Sequence, residues 1–412
     1  MYVRVGSSSI TPSGAVYLVG HAIRTDISVG VADDIEVNTL VIENEKDTFV
    51  WISVELVGME FAAVNTIRET VAKKYGIKIN HVMYSVTHTH AAPDYTEGNK
   101  MTPAGTEVMG AYSEFLMEQV LLSVDDAYSK EKTACEPYLA TMQVDGLYSN
   151  RNGLEYYYDP TLWAVKWVDE NDRVQGGFFN FNCHATVLGP LNLEVSGDLF
   201  GYLKRKIAAD WGVNPLMLQG SSGDVSNRQH RQGNDYAELT RVGEALYSQI
   251  KENLVYKKID FSLIDETVYH YEDHYETPME VHLENLEKTK NNIETAPNYD
   301  IKKIFTSAHA YVKRLVDNNI TKFDVSFDCY IYNFTDFVIC TFPAELNSIL
   351  GKVIKESRTD KPVLIWGYCN DTMGYIVEEA MHGLTYEGIT SRIRKGNGEK
   401  LVAEIADVIK EL

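Results

Sequence analysis

The chain has 412 residues, of which 44% are hydrophobic, so it can bury a large core in one or two α/β domains. Its 59 acidic and 38 basic residues give a formal net charge of −21, which disfavours binding to nucleic acid phosphates and to anionic lipid headgroups. The sequence has no apolar run of membrane-spanning length and no signal-peptide pattern near Met1, so we expect a cytoplasmic protein without a transmembrane segment.

Strand and helix patterns alternate along the chain. β-rich segments at 37–43 and 48–56 precede a helical pattern at 62–76. Further strand-like runs are HVMYSVT, GGFFNFN, PLMLQ, FDCYIYN, FVICTF and VLIWG. Further helices are predicted at 106–129, 198–211, 235–253, 344–356 and 388–411. This order predicts an α/β fold in which mixed β-sheets are flanked by helices.

One segment, 275–322, is more charged and mostly helical in pattern, and it lies between two β-rich stretches. We interpret it as a helical insertion within a single domain that spans 1–412. Glycine and proline are scattered rather than gathered into a linker, so no domain boundary can be drawn. The oligomeric state is left open by the sequence, a homo-oligomer included.

Polar motifs follow directly on apolar, strand-like runs at several points of the chain. They are THTHAAPD at 87–94, CHATVLGP at 183–190, GSSGDVSNR at 220–228, PAELN at 343–347 and GYCNDTMGY at 367–375. Ligands of open α/β sheets bind beyond the carboxyl ends of the strands, so we expect these motifs to converge on one cleft.

Histidines in these motifs are candidate metal ligands. If His88 and His90 continue the preceding strand, their side chains leave on the same face and can address one ion. A pair of polar loop histidines is the equal alternative. His184 ends a very apolar strand, where a buried core histidine is the simpler interpretation. Candidate partners for the second ring nitrogens are Asp94, Asp198 and Asp224.

Three further residues invite a chemical role. Glu345 follows an apolar strand and is predicted to open a helix, where a first-turn carboxylate is common, although two histidines and one carboxylate also form a known catalytic zinc set. The backbone amides around Ser226 could hold an oxyanion, or form an ordinary turn. Cys183 is adjacent to His184, but alternation along a strand would turn its thiol to the other face.

Taken together and in this order, the motifs resemble the catalytic domain of the neutral/alkaline, non-lysosomal ceramidases, from about residue 10 to residue 390. The similar segments are THTH at 87–90, NR at 150–151, HAT at 184–186 with SGD at 196–198, GDVS at 223–226, PAE at 343–345, GY at 374–375 and YEG at 386–388. The sequence departs from the family pattern at Asn152 and Gly153, and it lacks the proline after Ser226. The C-terminal immunoglobulin-like domain of full ceramidases is expected to be absent.

The resemblance implies a zinc-dependent hydrolase in which a metal-activated water cleaves an amide (N-acyl) bond of a small or lipid-like substrate. The zinc ligands that it implies are His88, His184, Glu345 and Tyr375. The catalytic residues that it implies are His90, Arg151, Ser226 and Tyr386. Residues that would hold a sphingoid chain are not recognisable, so ceramide itself is not assigned as the substrate.

Several alternatives stay open at this point. Ser226 could act as a nucleophile through an acyl-enzyme. The same site could serve an esterase or lactonase, or a non-catalytic member that binds only zinc or a ligand. An amidohydrolase barrel or a metallo-β-lactamase-like fold also uses H-x-H loops, but those folds usually need more ligating histidines than this chain offers in comparable contexts.

Overall fold

The computed structural model describes residues 1–94 and 107–412 of the chain. The strands in these ranges are β1 Tyr2–Ser9, β2 Gly30–Val31, β3 Glu36–Glu43, β4 Thr48–Val54, β5 Val82–Val86, β6 Thr133–Ala134, β7 Glu136–Gln143, β8 Ser149–Asn150, β9 Thr161–Val168, β10 Val174–Phe181, β11 Glu194–Val195, β12 Leu216–Gln219, β13 Val225–Ser226, β14 Lys257–Lys258, β15 Leu263–Glu276, β16 Lys322–Phe334, β17 Val338–Thr341, β18 Glu345–Leu346, β19 Val363–Trp366 and β20 Tyr375–Ile376. The helices are α1 Phe61–Tyr75, α2 Glu107–Ser129, α3 Asp198–Trp211, α4 Tyr236–Asn253, α5 Met279–Glu294, α6 Tyr299–Asp317, α7 Ser348–Lys355, α8 Tyr386–Thr390 and α9 Asn397–Glu411.

Three mixed sheets form the framework, with strand orders β5-β4-β3-β1-β6, β12-β10-β9-β7-β14 and β15-β16-β17-β19. Most neighbouring strands within them are antiparallel. At one edge of each sheet lies a parallel pair, β4 with β5, β10 with β12 and β17 with β19. Two parallel strands have their carboxyl ends on the same side of the sheet. Each sheet can therefore contribute the loops that follow one such pair of strands to a shared site.

Helices cover one face of each sheet. Apolar clusters pack α1 and α2 on the first sheet, α3 and α4 on the second, and α7 and α9 on the third. The opposite faces of the three sheets share a further core, in which the Trp51 ring lies 5.2 Å from Trp366 and 5.8 Å from Phe178. Aromatic side chains bury large areas and prefer such edge-to-face contacts, so this core fixes the sheets against one another.

The α/β prediction with mixed, helix-flanked sheets is confirmed. Two predicted helices were placed wrongly: the helix at 344–356 begins only at Ser348, and the pattern at 388–411 contains two helices, α8 and α9. Of the helix predicted at 106–129, residue 106 lies outside the described residues.

The charged segment 275–322 contains α5 and α6, and its two ends belong to β15 and β16. Its interpretation as an insertion, and that of 1–412 as one domain, remain predictions. Within the described ranges, no helix is long and apolar enough to cross a membrane.

A substitution at Gly6 can test how closely α2 packs on β1. A Cβ at this position would overlap the backbone carbonyl of Ser123 and the backbone nitrogen of Ala127, both in α2. We expect Gly6→Ala to lower the free energy of unfolding by about 1–3 kcal/mol, because the overlap is with backbone that cannot rotate away. Urea denaturation measures the change. Gly14→Ala is the control, since nothing lies within 4 Å of a Cβ there, and an equal loss in both variants would contradict the packing argument.

Candidate metal centre

His88 follows β5 but does not continue it. The strand ends at Val86, and His88 has a backbone φ of 62°, so the condition under which His88 and His90 would leave one face of a strand is not met. The His88 ring is buried, and its Nδ1 donates to the Val57 carbonyl at 2.5 Å. A carbonyl only accepts hydrogen bonds, so the Nδ1 carries a hydrogen and Nε2 is the ring nitrogen that can bind a metal.

His184 lies just beyond β10 and has no exposed surface. Its Nδ1 donates to the Ser222 carbonyl at 2.7 Å, which again leaves Nε2 as a lone-pair donor to a metal. Burial, and next the charge of Arg151, lower the pKa of His184 to about 4, so the ring is neutral at pH 7.

Backbone carbonyls therefore hold the two rings, and the prediction that aspartates do so is wrong for both. Asp198 instead accepts from the backbone N–H groups of Val187 and Leu188. Asp224 accepts from the backbone N–H of Ser348. Asp94 accepts neither Nδ1 hydrogen, since both are donated to carbonyls.

Glu345 brings a carboxylate to the same point. Its Oε2 lies 3.0 Å from His184 Nε2 and 3.4 Å from His88 Nε2. The residue begins the short strand β18, which pairs with β20, so its predicted place in the first turn of a helix is wrong. Burial would raise the pKa of Glu345, but protonated rings of His88 and His184 would outweigh burial and hold that pKa well below its usual range.

His90 adds a third ring, with its Nε2 3.2 Å from His88 Nε2. The ligand nitrogens of His88, His90 and His184 all lie within 4.8 Å of one another. Among the described residues, His90 Nδ1 is buried and has no hydrogen-bond partner. Close packing holds the ring, because a Cβ at Gly20, whose φ is 103°, would overlap it.

The donor set fits zinc. Ligands at about 2.0–2.1 Å from a tetrahedral zinc lie about 3.3 Å from one another. The separations of 3.0 Å and 3.4 Å from Glu345 Oε2 to the two ring nitrogens match that spacing. Two imidazoles and one carboxylate are also the ligand types that zinc takes in catalytic sites.

Tyr375 and Arg151 border this cluster. The Tyr375 hydroxyl lies 3.5 Å from His184 Nε2 and accepts from Arg151 Nη2 at 3.1 Å. Arg151 Nε donates to Glu387 at 2.5 Å. Burial alone would lower the pKa of Arg151, but Glu387 and Tyr375 outweigh it and raise that pKa, so the buried guanidinium stays charged.

The remaining predicted residues lie nearby. Tyr386, the first residue of α8, places its ring 5.6 Å from that of Tyr375. Ser226 is buried in β13, and its Oγ accepts from the backbone N–H of Arg228 rather than contacting a base. Cys183 is also buried, and burial raises the pKa of its thiol well above the usual range, which disfavours a thiolate nucleophile.

A small pocket of about 80 Å³ opens beside the cluster. The described residues that line it are Gly20, His21, His90, Arg151, Thr186, Ser226, Arg228, Arg231, Lys303, Ile304, Ser307, Tyr375, Tyr386 and Glu387. The four residues predicted as catalytic, His90, Arg151, Ser226 and Tyr386, therefore all line this pocket, and so does Tyr375. Burial first, and then Arg24 and Lys303, lower the pKa of His21 in this wall.

Sequence reasoning missed three residues of the site. Glu387 binds Arg151, and its position in the Y-E-G segment was the available signal. Tyr368 lies against His88 with ring centroids 4.4 Å apart and carries a φ of 55°. Gln219 ends β12 without any motif of its own.

Two solved structures are similar to the chain over its whole length. Neutral ceramidase from Pseudomonas aeruginosa has a TM-score of 0.74 at 16% identity, with 100% of this chain and 74% of that chain covered. A structure described as ceramidase complexed with C2 has a TM-score of 0.70 at 13% identity, covering 100% and 75%. The chain has the neutral ceramidase fold. Comparison with family models and with curated protein sequences gives no significant match, so the similarity establishes the ceramidase fold alone.

Gln219 connects the segments that carry the site in this ceramidase fold. Its Nε2 donates to the carbonyls of Thr87 and Cys183, at 2.9 Å and 2.8 Å, one residue before His88 and His184 respectively. Its own carbonyl accepts from the backbone N–H of Gly367, just after β19. One buried residue thus links the three sheets at the metal centre.

We expect Gln219→Met to lower the free energy of unfolding by at least about 2 kcal/mol, because the variant removes the donor from two buried carbonyls. Zinc retention should fall as well, since those carbonyls directly precede His88 and His184. Chemical denaturation and elemental analysis measure the two effects. The control is Gln143→Met at an exposed position, which should change stability by no more than about 0.5 kcal/mol. Equal stability of the two variants would contradict the linking role.

Asp224 is a buried carboxyl group that is hydrogen-bonded to Ser348, the first residue of α7. Burial raises its pKa to about 7, despite the hydrogen bond from the Ser348 N–H. A protonated Oδ2 can donate to Ser348 Oγ at 3.0 Å, and that hydroxyl can donate in turn to the Tyr157 carbonyl at 2.9 Å. Asp224 also fixes the start of α7, three residues beyond Glu345.

The folded state therefore binds one more proton at Asp224 than the unfolded state between pH 4 and 7, given an ordinary pKa of about 3.9. Stability from this group is present below pH 4 and is lost as the pH rises towards 7. In Asp224→Asn, the fall of unfolding free energy over this interval should be shallower by about 1.4 kcal/mol per pH unit. Denaturation at a series of pH values tests this, and identical slopes in wild type and variant would refute it.

Proposed function

We propose that this protein is a zinc-dependent hydrolase that cleaves an amide (N-acyl) bond of a small or lipid-like substrate. The observation that carries the proposal is the meeting of two ring nitrogens with fixed tautomers and one carboxylate oxygen at separations of 3.0 Å and 3.4 Å. The ceramidase fold supports it, because the two similar structures are of ceramidases.

The residues that would hold the zinc are His88, His184, Glu345 and Tyr375. A zinc ion in such a site lowers the pKa of a bound water and polarises a carbonyl. The hydrogen bonds from Nδ1 to the Val57 and Ser222 carbonyls would keep both rings oriented with Nε2 towards the metal.

Three neighbouring side chains, those of His90, Arg151 and Tyr386, would act on the bound substrate. Burial, and next His88, lower the pKa of His90, so its ring is neutral and can accept a proton from the attacking nucleophile and return it to the leaving amine. The guanidinium of Arg151 would stabilise negative charge that develops on the carbonyl oxygen. Tyr386 would offer its hydroxyl from the wall of the same pocket.

Ser226 remains a proposed contact of the substrate rather than the nucleophile. Its hydroxyl lines the pocket, but its described partner is the N–H of Arg228, which cannot remove a proton from it. Cytoplasmic location remains a prediction, and the oligomeric state stays open. Esters and lactones belong in any substrate panel, because the same groups can act on them.

Metal content tests the ligand set. Protein purified without added metal should contain about one zinc per chain, and His184→Ala should lose it, because the ring supplies a ligand nitrogen. Glu345→Gln should retain much less zinc than wild type, whereas His90→Asn should retain it, since His90 is assigned to proton transfer. Elemental analysis gives the ratio of zinc to protein for each variant.

The matched control is His270→Ala, which removes a histidine from the exposed side of β15 and should leave zinc unchanged. Zinc at the wild-type level in His184→Ala would rule out the proposed centre. Loss of zinc in His90→Asn with retention in Glu345→Gln would instead assign the metal to the three histidines His88, His90 and His184.

A further inference from the structure

The wall of the pocket beside the metal centre contains a second histidine, His21, in addition to His90. The two rings meet edge to face, with their centroids 5.0 Å apart. No sequence motif pointed to His21, which precedes all of the polar segments that follow strands. A few polar groups in the wall of a pocket usually orient the molecule that binds there. His21 is therefore in a position to contact the substrate beside His90.

The backbone around His21 is fixed to the segment that carries His90. The Val19 N–H donates to the Ala92 carbonyl at 3.1 Å. The side chain of the buried Arg24 donates from Nη1 to the His90 carbonyl at 2.7 Å, and its backbone N–H donates to the His21 carbonyl at 2.9 Å. These hydrogen bonds hold His21 and His90 at a set separation in the folded protein.

One ring nitrogen of His21 already has a partner in the protein. Its Nε2 lies 3.3 Å from the carbonyl oxygen of Leu188, which only accepts, so Nε2 carries a hydrogen and donates it. Burial first, and next the charges of Arg24 and Lys303, hold the pKa of the ring well below its usual value, so the ring is neutral at pH 7. A neutral imidazole with its hydrogen on Nε2 has a lone pair on Nδ1.

The Nδ1 of His21 has no hydrogen-bond partner among the described residues. It differs from the Nδ1 of His90, which is sealed from solvent as well as unpaired. The Nδ1 of His21 is thus an acceptor that a molecule in the pocket can reach. A site with such an acceptor selects a molecule that brings a hydrogen-bond donor to it.

We propose that Nδ1 of His21 accepts a hydrogen bond from the amide N–H of the substrate, so that His21 selects secondary amides over esters and lactones. The inference rests on the proposed hydrolase function and narrows its substrate class. The scissile nitrogen must lie next to His90, which is assigned to return a proton to the leaving amine, and the His21 ring adjoins that of His90. An ester or lactone has an oxygen in place of this N–H and offers Nδ1 no hydrogen.

Two substitutions separate the contact with the pocket from the contact with Leu188. Glutamine can place an amide N–H where the imidazole Nε2 lies, so His21→Gln keeps a donor to Leu188 and removes the acceptor at Nδ1. Asparagine is shorter and can place its carbonyl oxygen near the position of Nδ1, so His21→Asn keeps the acceptor and removes the donor. If His21 had only a structural role, His21→Asn would be the more harmful of the two variants.

Three probes with the same butyl and acetyl groups differ at the scissile bond. N-butylacetamide has an N–H, N-butyl-N-methylacetamide has none, butyl acetate is an ester, and none of them carries another donor. Released acetate measures the hydrolysis of all three by the zinc-loaded protein. We expect His21→Gln to lower kcat/KM for N-butylacetamide about fivefold to tenfold, chiefly by raising KM, and to change the other two less than about twofold. His21→Asn should retain most of the wild-type preference for N-butylacetamide.

Nitrogen NMR of protein with isotopically labelled histidine observes the contact without turnover. The Nδ1 resonance of His21, assigned by its loss in His21→Gln, should be that of an unprotonated ring nitrogen at pH 7. It should move on addition of N-butylacetamide and stay in place with butyl acetate. The control is His270→Gln, on the exposed side of β15, which should leave the kinetics of every probe unchanged. Zinc content and circular dichroism establish that each variant is loaded and folded.

Equal effects of His21→Gln on the three probes would overturn the inference, and so would a greater loss in His21→Asn than in His21→Gln. Either result, with hydrolysis by the wild type intact, would leave the proposed function standing. Movement of the Nδ1 resonance with N-butylacetamide alone, without release of acetate from any probe, would support the amide contact and contradict the hydrolase. An unmoved resonance without hydrolysis of any probe would contradict both.

Discussion

The hydrogen bonds of Gln219 are the constraint on which the arrangement of the site depends. Three chain segments from three sheets must meet within about one hydrogen-bond length, and each reaches the meeting point with backbone groups that water cannot satisfy there. The Gln219 amide satisfies carbonyls from two of the segments, and its backbone carbonyl accepts from the third. The shared core of Trp51, Phe178 and Trp366 holds the sheets together, but non-directional packing would not fix the histidines to this precision.

Charge balance explains how so many polar groups remain stable in the interior. An isolated buried charge costs several kcal/mol, and pairing offsets that cost only when the geometry is good. Arg151 is held between Glu387 and Tyr375, and Glu345 lies against two imidazoles. The two carboxylates therefore have separate partners. This separation leaves the Arg151 guanidinium charged close to Glu345 without a direct ion pair between them.

The sequence allowed the general location of the site to be predicted, because polar motifs at strand ends obey a simple rule of sheet topology. His88, His184 and Glu345 were placed together on that basis and by the family resemblance. Local conformation was less predictable: His88 adopts a positive φ, and Glu345 lies in a two-residue strand. Both depend on tertiary contacts that no local pattern encodes.

The partners of the histidines could not be predicted for a related reason. Aspartates are visible in a sequence, whereas every residue has a backbone carbonyl, so Val57 and Ser222 left no signal. The lining of the pocket left no signal for a different reason, since Arg231 and Lys303 are far apart in the chain and ordinary in their local context. Only the fold brings them to one pocket.

The helix pair α5 and α6 lies between two strands that are hydrogen-bonded to each other, with Glu276 opposite Lys322 at its base. The sheet therefore fixes the entry and exit of the pair side by side, and closing the loop between them costs little additional entropy. Lys303 stands on this pair, whereas the histidines and Glu345 stand on the framework strands and their turns. A change in α6 therefore reaches the pocket in two ways, through its own lining residues and through α8, on which it packs, while the strands that precede His88 and His184 lie outside the helix pair.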